Sequence, residues 1–170
     1  ILHQCIKHNV NLQYASSASV YDVKKGFKEI SKCYPKSPYS WSKYLFDKHV
    51  EQSKYKIIVQ GFRYFNVFGK NEKHKKDQAS PVYKFIKQAK KHKKIKLFYK
   101  SDQYLRDFVC IEDVCKVHMQ MLNIKVSGLF NIGRGITLSF QTIAEAVSKK
   151  FSCKIEYIKM PKKIENHYQK

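Results

Sequence analysis

The chain has 170 residues, 43% of them apolar, which is enough for a real core, and its 34 basic against 13 acidic residues give a formal charge of +21. Only Arg63, Arg106 and Arg134 are arginines, so the guanidinium forks that grip phosphate and read bases are scarce; the charge reads as a lysine-biased surface, with no nucleic-acid partner expected. No run approaches the roughly 18 apolar residues of a membrane span and the start Ile1-Leu2-His3-Gln4 has no signal-peptide anatomy, so a soluble cytoplasmic protein is expected.

Hydrophobic spacing predicts a helix over residues 1–9, with Ile1, Leu2, Cys5 and Ile6 on one face, then a short apolar strand over 10–16. Residues 18–37 are polar and punctuated by Gly26 and Pro35. Pro38 then opens a helix to about residue 53 whose apolar positions are Trp41, Leu45, Phe46 and Val50. Residues 55–65 read as a buried strand and 66–78 as a polar loop. Ser80-Pro81 starts a helix to about His92. Strands follow over 95–99 and 106–111, a helix over 112–123, a strand over 128–133, a helix over 139–151 and a last strand over 154–160. Strands and helices alternate without repeat or linker, which predicts an α/β fold with a largely parallel sheet.

Cys5, Cys33, Cys110, Cys115 and Cys153 are odd in number, scattered and without C-x-x-C, so they suggest buried thiols and no metal. Twelve lysines lie between Lys70 and Lys100 against two acids, Glu72 and Asp77. They read as a solvated helix face; a positive lip attracting an anionic substrate is the compatible alternative.

The chemistry concentrates in Ala15-Ser16-Ser17-Ala18-Ser19-Val20-Tyr21, at a strand end, and Tyr39-Ser40-Trp41-Ser42-Lys43, at a helix start. Ligands of parallel α/β sheets bind at the carboxyl ends of strands. Tyrosine and lysine at i and i+4 share a helix face, and an ammonium beside a phenol favours its ionised form. A serine hydroxyl from the neighbouring strand end then completes a geometry suited to hydride transfer from an alcohol. With 12 tyrosines and so many lysines the Y-x-x-x-K pattern alone is weak evidence; it occurs at Tyr21, Tyr39, Tyr44 and Tyr83. Only Tyr39 has a serine-rich strand end upstream, a proline-bounded helix start and the strand Gly61-Phe62-Arg63-Tyr64-Phe65-Asn66-Val67-Phe68-Gly69 downstream.

S-S-A-S-V-Y, Y-x-x-x-K with its following Phe46-Asp47, and R-Y-F-N-V-F-G together resemble the extended short-chain dehydrogenase/reductases that act on nucleotide sugars. The segments Phe65 to Lys75, Ala79-Ser80, Lys96-Leu97-Phe98, Arg106 to Val109, Ser127 to Gly135 and Ser139-Phe140-Gln141 narrow the likeness to one epimerase branch and extend it over nearly the whole chain. The resemblance implies a Rossmann-like parallel sheet lacking its N-terminal strands, with a smaller α/β substrate-binding part. Residues 1–69 then form the C-terminal half of a cofactor domain and 70–170 mainly a substrate-binding region, with segments around 106–135 returning to the sheet.

Carried over by position, the resemblance implies Tyr39 as one acid/base, Lys43 as its partner and a cofactor contact, Ser17 as a hydroxyl on the reacting oxygen, and Lys75 as the second acid/base. Asn66, Asp77, Lys84, Phe98, Tyr99, Lys100, Ser101, Arg106 and Tyr168 fall on substrate-contacting positions and Val67 on a cofactor contact; Asp77 and Lys84 differ from the family's residue types there. The cofactor implied is NADP, with NAD possible, the partner a nucleotide-sugar substrate, and the assembly a bacterial homo-oligomer. Readings that stay open are a hexose 4-epimerase of the same family, an inactive fragment and a nucleic-acid-binding protein; Ser17, Tyr39, Lys43 and Lys75 are all intact. No G-x-x-G-x-x-G follows a strand, so the phosphate-cradling first unit is expected upstream, the 170 residues alone are expected not to bind NADP tightly, and the sheet is expected to keep an unpaired edge.

Overall fold

The computed structural model describes residues 1–161. In chain order it contains α1 (Leu2–Lys7), β1 (Leu12–Ser17), α2 (Pro38–Gln52), β2 (Val59–Tyr64), β3 (Asn66–Phe68), α3 (Pro81–His92), β4 (Lys94–Phe98), β5 (Leu105–Cys110), α4 (Ile111–Met121), β6 (Gly128–Ile132), β7 (Thr137–Ser139), α5 (Phe140–Phe151) and β8 (Lys154–Ile158). The described residues fold into two compact units, one of residues 1–65 and 114–133, the other of residues 66–113 and 134–161.

Serine caps and prolines set where the helices begin. Ser37 and Ser40 form a capping box around Pro38 at the start of α2. The Ser80 side chain accepts from the Tyr83 N–H ahead of α3, with Pro81 in the first turn, and Ser139 accepts from the Thr142 N–H ahead of α5.

In the first unit β1 runs parallel to β2, from Leu12 opposite Val59 to Ser17 opposite Tyr64, and β2 runs parallel to β6. Among the described strands β1 and β6 are the edges of this sheet, each paired with β2 alone. Gly61 sits mid-sheet because a Cβ there would collide with the Tyr14 ring and Leu129, which close over it from the flanking strands. Leu2, Val50, Ile57 and Val59 form a small core between α1, α2 and the sheet.

In the second unit β3 pairs parallel with β5, β5 antiparallel with β7, and β4 parallel with β8. Phe85, Ala89, Ile95, Leu97, Phe108, Phe140, Ala144 and Val147 make its core, with α3 and α5 contributing apolar stripes. Lys84, Lys87, Lys90 and Lys91 lie on the opposite, exposed face of α3, so this part of the lysine run is a solvated helix face.

Of the apolar positions of α2, Trp41 and Leu45 are 48% and 59% exposed, and the helix buries Ser40, Asp47 and Val50. The polar pair can be buried because each has partners, as described below. One expectation needs correction: the polar loop read over 66–78 begins with a strand, β3, which like β7 has three residues and is too short to carry a periodic signal. Within residues 106–135, Gly128–Ile132 lies in the first sheet, whereas Leu105–Cys110 pairs inside the second unit.

Candidate active site

Ser17 is the last residue of β1. Its Oγ accepts from the Ser19 N–H at 3.2 Å and lies 2.9 Å from Ser19 Oγ, capping the tight turn Ala18–Val20. Tyr39, the second residue of α2, is 57% exposed, and its hydroxyl has no hydrogen-bond partner among the described residues. One turn on, Lys43 places Nζ 5.7 Å from the centre of the Tyr39 ring and donates to the Ala15 carbonyl at 3.1 Å. Lys43 therefore ties the start of α2 to the carboxyl end of β1, two residues before Ser17, where parallel sheets receive ligands. By contrast Tyr21 is 4% exposed, and its hydroxyl is taken by Arg63 and Asn131; Lys48, partner of Tyr44 in the same pattern, pairs with Glu51.

A buried network that sequence reasoning missed fixes this corner. Asp47, fully buried, accepts from Ser16 Oγ at 2.9 Å, from the Tyr14 hydroxyl at 3.1 Å, and from Arg63 Nε and Nη2, both at 3.1 Å. Arg63 Nη1 donates to the Tyr21 hydroxyl at 3.0 Å and the Glu29 carbonyl at 3.3 Å, and Tyr21 donates to Asn131 Oδ1 at 2.8 Å. One carboxylate on the helix of Tyr39 and Lys43 thus grips the residue beside Ser17 and the central strand. Burial, reinforced by the Asp47 charge, pushes the Tyr14 hydroxyl well above its ordinary value, and burial also raises Tyr21, so both remain proton donors. The available signal was the lone arginine inside the apolar run of β2.

A second set of bonds seats α4 on the same sheet and settles a tautomer. Gln60 Nε2 shares its two N–H groups among the carbonyls of Met121, Ile124 and Val126, so its Oε1 accepts from Gln13 Nε2 at 2.9 Å. Gln13 Oε1 is then left to accept from His118 Nδ1 at 2.9 Å, and His118 Nε2 accepts from the Tyr64 hydroxyl. Burial holds His118 below its ordinary value, in keeping with a neutral ring protonated at Nδ1.

The remaining candidates belong to the second unit. Asn66 Nδ2 donates to the Asp107 carbonyl at 3.2 Å and Val67 pairs with Val109. Lys84 Nζ donates to the Asp77 carbonyl at 2.7 Å, so these two hold each other. Ser101 is buried and donates to the Phe98 carbonyl at 2.6 Å, fastening its own turn, while Tyr99 is 56% exposed and stacks on Tyr157. Lys100 has a left-handed backbone, and the Arg106 guanidinium lies 5.8 Å from the centre of the Phe140 ring. Tyr168 lies outside the described residues.

Lys75 stands 3.6 Å from Glu72, which is buried and accepts from the Gly69 N–H at 3.1 Å and from the Ser80 N–H and Oγ, both at 2.7 Å. Burial alone pushes the Glu72 carboxyl up; the Ser80 and Gly69 bonds and the Lys75 charge outweigh it and hold the group below its ordinary value of 4.5. Its contribution to stability is therefore present above that value and lost as pH falls through the lower folded one. Urea unfolding should show Glu72→Gln clearly less stable than the parent at pH 7, with the gap narrowing as the pH falls below 4.5.

Residues 1–133 match the model of the NAD dependent epimerase/dehydratase family, and the chain belongs to that family. It is 41% identical to an ADP-L-glycero-D-manno-heptose-6-epimerase of Brachyspira hyodysenteriae over 100% of its own length and 56% of that protein. The crystal structure of the Helicobacter pylori ADP-L-glycero-D-manno-heptose-6-epimerase superposes with a TM-score of 0.86 at 32% identity, over 93% of this chain and 51% of that one. A UDP-N-acetylglucosamine 4-epimerase from Methanobrevibacter ruminantium shares the fold, with a TM-score of 0.84 at 21% identity over 95% of this chain and 54% of that one. The chain thus spans about half the length of the relatives it matches. The motifs of β1, α2 and β2 pointed to the same family.

Proposed function

We propose that the protein to which this chain belongs interconverts the two C6 epimers of ADP-glycero-manno-heptose by transient oxidation with a bound nicotinamide dinucleotide, NADP or NAD. The observation that supports this reading is the bond from Lys43 Nζ to the Ala15 carbonyl, which brings the ammonium, 5.7 Å from the centre of the exposed Tyr39 ring, to the carboxyl end of β1. The 41% identity to a heptose epimerase supports the choice of substrate.

The donor set fits the cofactor's nicotinamide half. Lys43 spends one N–H on Ala15 and keeps two for a ribose, and the Tyr39 hydroxyl is uncommitted. The family resemblance assigns Val67 to the same cofactor. When bound, the nicotinamide would accept a hydride from C6 and return it.

Tyr39 accepts the hydroxyl proton as the C–H bond breaks, the Lys43 ammonium favours the phenolate, and the Ser17 hydroxyl donates to the same substrate oxygen. The sugar carbon becomes a ketone. Inversion requires the hydride to return to the opposite face, and the carbonyl oxygen then needs a proton from a different direction. Lys75 is assigned that second role, with Asn66, Arg106 and the turn from Phe98 to Ser101 as substrate contacts. On this reading the protein works as a cytoplasmic homo-oligomer and its product feeds lipopolysaccharide core synthesis.

The test is a substrate panel run on the whole protein. ADP-heptose should be epimerised at C6, and UDP-glucose and UDP-N-acetylglucosamine should turn over at least about 100-fold more slowly. The reverse order would instead support a hexose 4-epimerase.

A further inference from the structure

The segment that joins β3 to α3 carries Lys75, and its shape depends on one carboxylate. Glu72 is 3% exposed. Its Oε1 accepts from the Gly69 N–H and Ser80 Oγ and its Oε2 from the Ser80 N–H, so a single side chain holds both ends of the loop. Oε2 also faces Lys75 Nζ at 3.6 Å. Between these ends the backbone is strained. Asn71 has a φ of 64°, and Lys76, next to Lys75, a φ of 47° with ψ −118°. Such conformations persist in non-glycine residues only where the surroundings over-determine them.

A neutral side chain could close the loop by hydrogen bonds alone. A buried carboxylate is costly unless a charge or several donors offset it, and here three donors and one cation converge on it. Among the described residues of the lysine run, only Lys75 and Lys94 take part in ion pairs, and only Lys75 pairs with a buried acid.

We infer that Glu72 is the positioning residue for Lys75: its buried carboxylate closes the 69–80 loop and holds the Lys75 ammonium in the place from which it exchanges a proton with the substrate. The inference rests on the acid/base role proposed above for Lys75. Glu72 itself stays out of contact with substrate and acts through the lysine.

A double-mutant cycle on the whole protein tests it, with kcat and KM measured on both heptose epimers. Glu72→Gln should lower kcat by about tenfold or more while leaving KM within about twofold, and adding it to Lys75→Met should lower kcat no further than Lys75→Met alone. A loss in the double variant equal to the product of the two single losses would overturn the inference, because Glu72 would then act independently of the lysine. Wild-type rates in Lys75→Met would overturn the role of Lys75 itself, and this inference with it.

A second measurement needs no variant. In the unmodified protein, mass spectrometry after brief acetylation should find Lys75 modified at least about threefold more slowly than Lys73, since only Lys75 is held by a carboxylate. Equal rates would contradict a held ammonium.

Discussion

Asp47→Ala should lower the stability of the protein by about 3–5 kcal/mol, read from the urea midpoint at constant slope, which is a large share of what a domain of this size has in hand. The effect is large because the substitution strands Arg63, which is 3% exposed, with its charge uncompensated, and removes the acceptor for Ser16 and Tyr14. The double change Asp47→Leu with Arg63→Met should recover part of the loss, since it removes both charges instead of orphaning one. A loss from Asp47→Ala below about 1 kcal/mol, the range of an exposed ion pair, would mean that the network does not hold the sheet to α2. The same change should also cost activity, because Asp47 lies one turn beyond Lys43 on the helix that aims Tyr39.

Much of the fold was legible because its boundaries rest on local chemistry. Ser37-Pro38, Ser80-Pro81 and Ser139 mark helix starts through side-chain caps that need no tertiary partner. The strands over Val59–Tyr64 and Gly128–Ile132 lie in segments rich in aromatic and aliphatic residues. Tyr39 and Lys43 could be chosen from four equivalent patterns because serine spacing, proline and the following strand stand in a fixed order.

What was not legible depends on contacts between distant residues. Spacing along α2 does not show that Ser40 and Asp47 turn inward while Trp41 and Leu45 stay exposed; the partners that permit it, Ser37 and Arg63, lie outside the pattern. Glu72 looked like one of two acids in a lysine-rich loop. Its importance arises only when Gly69 and Ser80 are brought to the same carboxylate. The roles proposed for Tyr39, Lys43 and Ser17 were suggested by their spacing as well as by the family resemblance, whereas that of Lys75 rests on the resemblance alone.

On the proposed mechanism two separate groups, Tyr39 and Lys75, serve the two faces of one reaction. An epimerisation in either direction uses both: one takes the alcohol proton on oxidation, the other returns a proton after the hydride has gone to the opposite face. Removing either group should therefore slow both directions, whereas a purely structural lysine at position 75 would leave both rates intact. The most direct measurement is kcat of the whole protein on each heptose epimer for Tyr39→Phe and Lys75→Met. Each variant is predicted to lose at least about 100-fold in both directions; wild-type rates on both epimers from either variant would contradict the two-base account.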